Sequence, residues 1–215
     1  MVPWISVCRF VCFRLSFWQM PRYSTHAWRS FRPDAAAQVH ALPVHGNCRV
    51  LGLDPGSQRT GFGIVDCSAA GERYVTCGCI SVAGEELALR LRRIFEGVEA
   101  LIAEHQPTEI AIERVFVHRN PDSALKLGQA RGAALCAAVS GGALAHEYAP
   151  RAIKLAVTGY GAAEKAQVAQ MVVTLLGLSR RPAADAADAL AVALCHAQSR
   201  RLAQLGRAVA GVQRR

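Results

Sequence analysis

Arg49-Val-Leu-Gly-Leu-Asp-Pro-Gly-Ser57 changes character at its centre. Arg49–Leu53 is a short apolar run that reads as a buried strand, and Asp54-Pro55-Gly56 is a strong turn signal that ends it. A carboxylate therefore closes a strand among apolar neighbours, where desolvation makes an unpartnered charge costly. Downstream, Thr60–Asp66 and Arg73–Val82 alternate as two further strands, with Ser68–Gly71 as the hairpin turn between them. Glu85–His105 is predicted helical, because Leu87, Leu91, Ile94, Val98 and Leu101 recur at spacings of four and three. Thr108–Glu113 is apolar on both faces and reads as a central strand.

The remainder alternates helix and strand. Asn120–Ser140 is a helix ended by Gly141-Gly142, and Leu144–Tyr148 is a fifth strand. Pro150–Val157 and Glu164–Leu176 are helices, the second with a stripe of Val168, Met171, Val172 and Leu175. A last helix opens near Pro182, a favoured first-turn position, and runs to about Arg201. A three-stranded meander followed by such alternation predicts an α/β fold, a mixed five-stranded sheet flanked by helices. The folded domain is then 48–201. Residues 202–215 form a basic tail, and Arg207, Arg214 and Arg215 join Arg200 and Arg201 as non-specific attraction for phosphate.

Four carboxylates stand out from their surroundings: Asp54, Glu113 in Ile110-Ala-Ile-Glu113, and the pair Asp185 and Asp188 in Ala184-Asp-Ala-Ala-Asp-Ala189. Asp54 and Glu113 end two strands, and ligands of open α/β sheets bind outside the carboxyl ends of strands. Asp185 and Asp188 are three apart, so they share one face in the first turns of the last helix. That helix is otherwise almost all Ala, Leu and Val, so its carboxylates point into a site rather than into bulk water. Each also has an ordinary structural alternative: a turn cap for Asp54, a pair with Arg114 or Arg131 for Glu113, and a charge complement to the helix N-terminus for the two Asp. If the four meet, they need cations, and oxygen ligands suit hard divalent metals such as Mg²⁺. Four carboxylates (−4) balance two such ions (+4), an arrangement suited to in-line phosphoryl displacement. His118, His146 and His196 are either acid/base or supporting groups, or structural.

The 215 residues hold 25 basic and 16 acidic side chains, a net charge of +9 that suits a polyanionic partner without identifying one. No apolar run is long enough to cross a membrane. Eight cysteines show no CxxC pairing and mostly sit in apolar contexts, as expected of reduced thiols in a cytoplasmic protein. Residues 1–47 differ from the rest: they hold all three Trp, five Arg, one acid and no Lys. They read as a disordered extension or as sequence upstream of a misassigned start near Val44. An organelle transit peptide is the alternative.

Leu51-Gly-Leu-Asp-Pro-Gly-Ser-Gln-Arg-Thr-Gly-Phe-Gly63, Ala111-Ile-Glu-Arg-Val-Phe116, Asp122-Ser-Ala-Leu-Lys-Leu-Gly-Gln-Ala-Arg-Gly132 and Ala184-Asp-Ala-Ala-Asp-Ala-Leu190 together resemble the RuvC family. These are bacterial Holliday-junction resolvases with an RNase H-like fold. The likeness spans about residues 48–201, and the string from Asp122 to Gly132 is its most specific part. It implies a homodimer that binds four-way junction DNA and nicks two opposing strands symmetrically, leaving 5′-phosphate and 3′-hydroxyl ends. It implies Asp54, Glu113, Asp185 and Asp188 as catalytic metal ligands for Mg²⁺, two per site, with Mn²⁺ able to substitute. It also implies work beside the RuvA–RuvB branch-migration complex and DNA contacts from Phe116, Lys154 and Lys165.

The local chemistry offers its own reading of these DNA contacts. Phe116 lies on a loop beside Glu113 with Arg119 nearby, and an aromatic there either stacks on bases or covers the sheet edge as a core residue. Lys154 and Lys165 are, by themselves, helix-surface lysines. The rival enzyme class, the actin-like ATPase fold, shares the Gly-x-Asp-x-Gly loop but needs a duplicated domain that this length does not hold. A DNA-binding module without chemistry is the non-enzymatic rival, and the four intact carboxylates argue against it.

Overall fold

The computed structural model describes residues 46–114 and 121–212, with side chains described as far as residue 206. The extension is therefore outside the described residues up to position 45. Three antiparallel strands come first: β1 (Cys48–Pro55), β2 (Arg59–Ser68) and β3 (Gly71–Ser81). Then follow α1 (Leu87–His105), β4 (Glu109–Glu113), α2 (Pro121–Ser140) and β5 (Leu144–Tyr148). Three helices end the fold: α3 (Pro150–Thr158), α4 (Lys165–Leu176) and α5 (Ala184–Val212). The sheet order is β3-β2-β1-β4-β5, with β4 parallel to both β1 and β5. This is the mixed, helix-flanked five-stranded sheet expected from the sequence.

Alternate side chains of the strands feed two cores, as the two-residue period of a strand requires. Leu51, Leu53, Ile64, Ile110 and Ile112 pack on one side against Ile94, Val98 and Leu101 of α1 and the alanines of α2. Three members of the predicted α1 stripe thus pack within the chain, while Leu87 is exposed. Val50, Val65 and Ala111 pack on the other side against α3, α4 and α5. Burial of both faces explains why β4 carries no polar residue between Glu109 and Glu113.

The placement of α5 is set by glycine. A Cβ at Gly52 would lie 2.8 Å from the Ala193 nitrogen, and one at Gly63 would lie 2.8 Å from the Leu190 nitrogen. At Gly61 it would lie 2.6 Å from the Asp185 carbonyl carbon. The helix backbone thus rests directly on β1 and β2, with Ala186, Ala187, Ala189, Ala191 and Ala193 all buried along it. Three boundaries differ from the sequence reading. β1 continues through Asp54 to Pro55, because the β2 ladder pairs Asp54 with Gly61 and Pro55 with Thr60. Pro182 precedes α5, whose first backbone acceptor is the Ala183 carbonyl. The helix also runs on to Val212, past Arg201. Among the described residues no helix is long and apolar enough to cross a membrane.

Replacing Gly61 by Ala is expected to cost about 1–3 kcal/mol by forcing α5 off the sheet. Gly206→Ala, where a Cβ meets nothing within 4 Å, should be neutral or slightly stabilising. Denaturant unfolding compares them, and equal stabilities would refute the close approach.

Candidate active site

Asp54 and Glu113 meet because β1 and β4 run parallel with Leu53 opposite Ile112, so the next residue of each strand emerges at the same edge. Asp54 lies two residues beyond Gly52, hence on the face that α5 covers. The first turn of α5 crosses Gly61, the cross-strand partner of Asp54, which brings Asp185 beside that edge. Asp188 follows three residues later on the same helix face.

Burial first, then the Asp54 charge, pushes the Glu113 carboxyl up to about 8. Burial is also the main reason why Asp54 is pushed up to about 6, with the Asp188 charge next. Asp188 accepts a hydrogen bond from Lys165 at 2.9 Å, and this contact raises the lysine. Lys165 opens α4 and its side chain is 83% exposed, so the ion pair is solvent-screened and weak in stability terms. The donors are all carboxylate oxygens and carry more negative charge than Lys165 neutralises. Such a set fits a hard divalent cation.

The alternative partners for Glu113 do not take it: Arg114 and Arg131 both pair with Glu147. Lys154 is half-buried on α3, and among the described residues no hydrogen bond or ion pair joins it to the four carboxylates. Phe116, His118 and Arg119 lie outside the described residues. Arg200 is not a tail cation waiting for phosphate. It is 5% exposed, with Nε 3.0 Å from Glu109 and a guanidinium N–H donated to Cys48 Sγ at 2.8 Å. Arg201 pairs with Glu72.

A second polar group joins two of the histidines singled out above to Glu109, which was not foreseen. Glu109, His146 and His196 place ligand-capable atoms within 4.8 Å of one another, and no three of the four carboxylates approach that closely among the described residues. Burial pushes Tyr148 up to about 12, so its phenol stays protonated and donates to His196 Nδ1 at 2.7 Å. His196 Nε2 then donates to Glu109 at 2.5 Å, and Arg200 completes the neutralisation. With a guanidinium already on the carboxylate, a metal cation there would meet a like charge. The group reads as a buried network that ties β4 and β5 to α5. Glu109 carried a usable signal: an acid at the start of an otherwise apolar strand. Its partner Arg200 is 91 positions away by residue number, which no local pattern reveals.

The family model described as crossover junction endodeoxyribonuclease RuvC matches residues 50–196. A protein of that name from Marinobacter nauticus is 55% identical over 148 residues, covering 69% of this chain and 85% of the relative. One from Methylococcus capsulatus is 52% identical and covers 75% and 98%. Among solved structures, Thermus thermophilus RuvC in complex with a Holliday junction substrate aligns with a TM-score of 0.68 at 35% identity, covering 73% of this chain and 97% of that one. The yeast mitochondrial Holliday junction resolvase shares the fold, with a TM-score of 0.58 at 13% identity.

Raised carboxyl values mean that the folded chain keeps protons that the unfolded chain has released. The pair carries no penalty below the ordinary values of 3.8 and 4.5, and a growing one as pH rises through about 6 and about 8. Metal-free protein should therefore lose Tm from about pH 5 to about pH 8. Glu113→Gln should flatten that slope; an unchanged slope would place its origin elsewhere.

Proposed function

The chain belongs to the RuvC family of crossover junction endodeoxyribonucleases, and we propose that it resolves four-way DNA junctions by symmetric paired nicks during recombination and repair. The observation that carries this reading is the placement of Asp54 and Glu113 at the ends of two parallel strands under the N-terminus of α5, with both carboxyl groups raised. Carboxyl groups held this close stay partly protonated alone and lose that proton when cations arrive. Asp54, Glu113, Asp185 and Asp188 would hold the metal, proposed as two Mg²⁺ with Mn²⁺ as substitute. The bound cations supply Lewis-acid stabilisation of the attacking and leaving oxygens.

The chain's own groups have separable tasks. The close seat of α5 on β1 and β2 fixes Asp185 and Asp188 relative to the strand ends, so the ligand set is held before DNA arrives. Lys165, already beside Asp188 and largely exposed, is suited to receive a backbone phosphate. Water adds to phosphorus in line with the P–O3′ bond, which breaks, and the 3′ oxygen leaves as a hydroxyl after gaining a proton. The products are a 5′-phosphate and a 3′-hydroxyl. Two such sites in a homodimer would cut opposing strands of one junction. Phe116 and Arg119 are proposed to contact DNA beside Glu113, and Lys154 to contact the backbone from α3. Action in the cytoplasm beside a RuvA–RuvB complex completes the reading.

Purified protein with Mg²⁺ should cut a synthetic four-way junction and spare a linear duplex of the same sequence. Asp54→Asn should lower cleavage by at least about 10²-fold while junction affinity stays near wild type. Full cleavage by that variant would remove Asp54 from the chemistry. Lys165→Ala should weaken binding and reduce the salt slope by about one; wild-type values for both rate and slope would exclude a phosphate contact.

A further inference from the structure

We propose that Cys48 and Cys67 form an oxidisable thiol pair, in which the Cys48 sulfur attacks a peroxide and Cys67 closes a reversible cross-strand disulfide. The two residues are direct partners in the antiparallel ladder of β1 and β2. Opposite residues of such a pair share a face and hold their Cα atoms about 4.5–5.5 Å apart. Disulfides span roughly 4.4–6.8 Å between Cα atoms, a range that this ladder spacing meets. Both thiols are free, 7% exposed and in the core beneath α5.

Their surroundings make the pair asymmetric. Arg200, from α5, donates to Cys48 Sγ at 2.8 Å, and a guanidinium beside sulfur favours the thiolate. The neighbouring Cys67 thiol is the first cause holding Cys48 below the usual thiol range, and Arg200 adds to it against the cost of burial. Cys48, with burial, raises Cys67 in turn. A nucleophilic sulfur therefore faces a protonated one, the arrangement expected of attacking and resolving thiols. A cleft of about 650 Å³, lined in part by Cys48, Arg49, Asp66, Cys67 and Glu72, gives a small oxidant a route.

The chemistry balances with hydrogen peroxide as oxidant. The Cys48 thiolate attacks one peroxide oxygen, the O–O bond breaks, and hydroxide leaves to become water, giving Cys48 sulfenic acid. The Cys67 sulfur attacks the Cys48 sulfur, the S–O bond breaks, and the hydroxyl departs as a second water with the Cys67 proton. Two thiols lose two electrons in all, and one peroxide becomes two waters. Oxidation would remove the sulfur anion from Arg200, which also holds Glu109 and through it His196 and Tyr148. The thiol pair thus sits at one end of a network whose other end, Tyr148, is the ladder partner of Glu113.

The test uses the full chain with a small excess of hydrogen peroxide, quenched by alkylation under denaturing conditions and read by peptide mass mapping. The expected product is a linked Cys48–Cys67 peptide pair, reversed by dithiothreitol and formed at least about tenfold faster than oxidation of the exposed Cys136. In Cys67→Ser the sulfenic acid should persist on Cys48 and be trapped by dimedone; Arg200→Lys should slow the reaction, with folding checked by circular dichroism. Oxidation of Cys136 before the pair would overturn the proposal. So would failure of Cys67→Ser to give a dimedone adduct on Cys48.

Discussion

The contact between the α5 backbone and the glycines of β1 and β2 is the constraint on which the rest of the molecule depends. Ordinary helix–sheet packing keeps the two backbones a side chain apart. Here Gly52, Gly61 and Gly63 remove that layer, and the alanines of α5 remove it from the other side. The helix can then run close beneath β1 and β2 while its first turn still reaches the strand ends. A helix standing off by one more methyl layer would carry Asp185 and Asp188 away from Asp54. Packing and chemistry are in this sense one arrangement: the small residues that lower the helix also set the separation of the acidic groups.

The two ends of the same sheet treat buried charge in opposite ways. Around Glu109 the negative charge is met by His196 and Arg200, at 2.5 and 3.0 Å, both from α5. Around Asp54 and Glu113 the protein supplies mainly Lys165, and burial, with the neighbouring carboxylate charges next, pushes the two carboxyl groups up to about 6 and about 8. A neutralised group holds the fold together, because leaving one partner alone in a dry interior is costly. An under-neutralised group is a place made for cations. The contrast distinguishes the two clusters more clearly than proximity does, since the tighter of them is the one least able to accept a metal.

The five strands and the five helices were legible because their signals are local. Leu51 and Leu53 alternate with Val50 and Gly52, and Ile94, Val98 and Leu101 recur on a helical period. The strand-end acids were legible too, because an acid following an apolar run contradicts its neighbours. Less legible were the true ends of β1 and α5. Pairing of Asp54 with Gly61 carries β1 past its turn signal, and no local stop signal marks Arg201 as the end of α5. Arg200 was misread for the same reason: an arginine near other arginines looks solvated, and only packing of α5 turns it inward.

The amino-acid order by itself determined the α/β class, the order of elements, the acidic residues at the strand ends and the likeness to a nuclease family. Each of these depends on neighbours within a few positions, or on short strings that can be compared directly. Tertiary structure alone decided that burial and Asp54 raise the Glu113 carboxyl, that Lys165 rather than Lys154 reaches Asp188, and that Cys48 faces Cys67 beneath Arg200. Those outcomes depend on strand register and on how closely a helix approaches a sheet. Such distances between remote parts of the chain arise only when the whole core has packed.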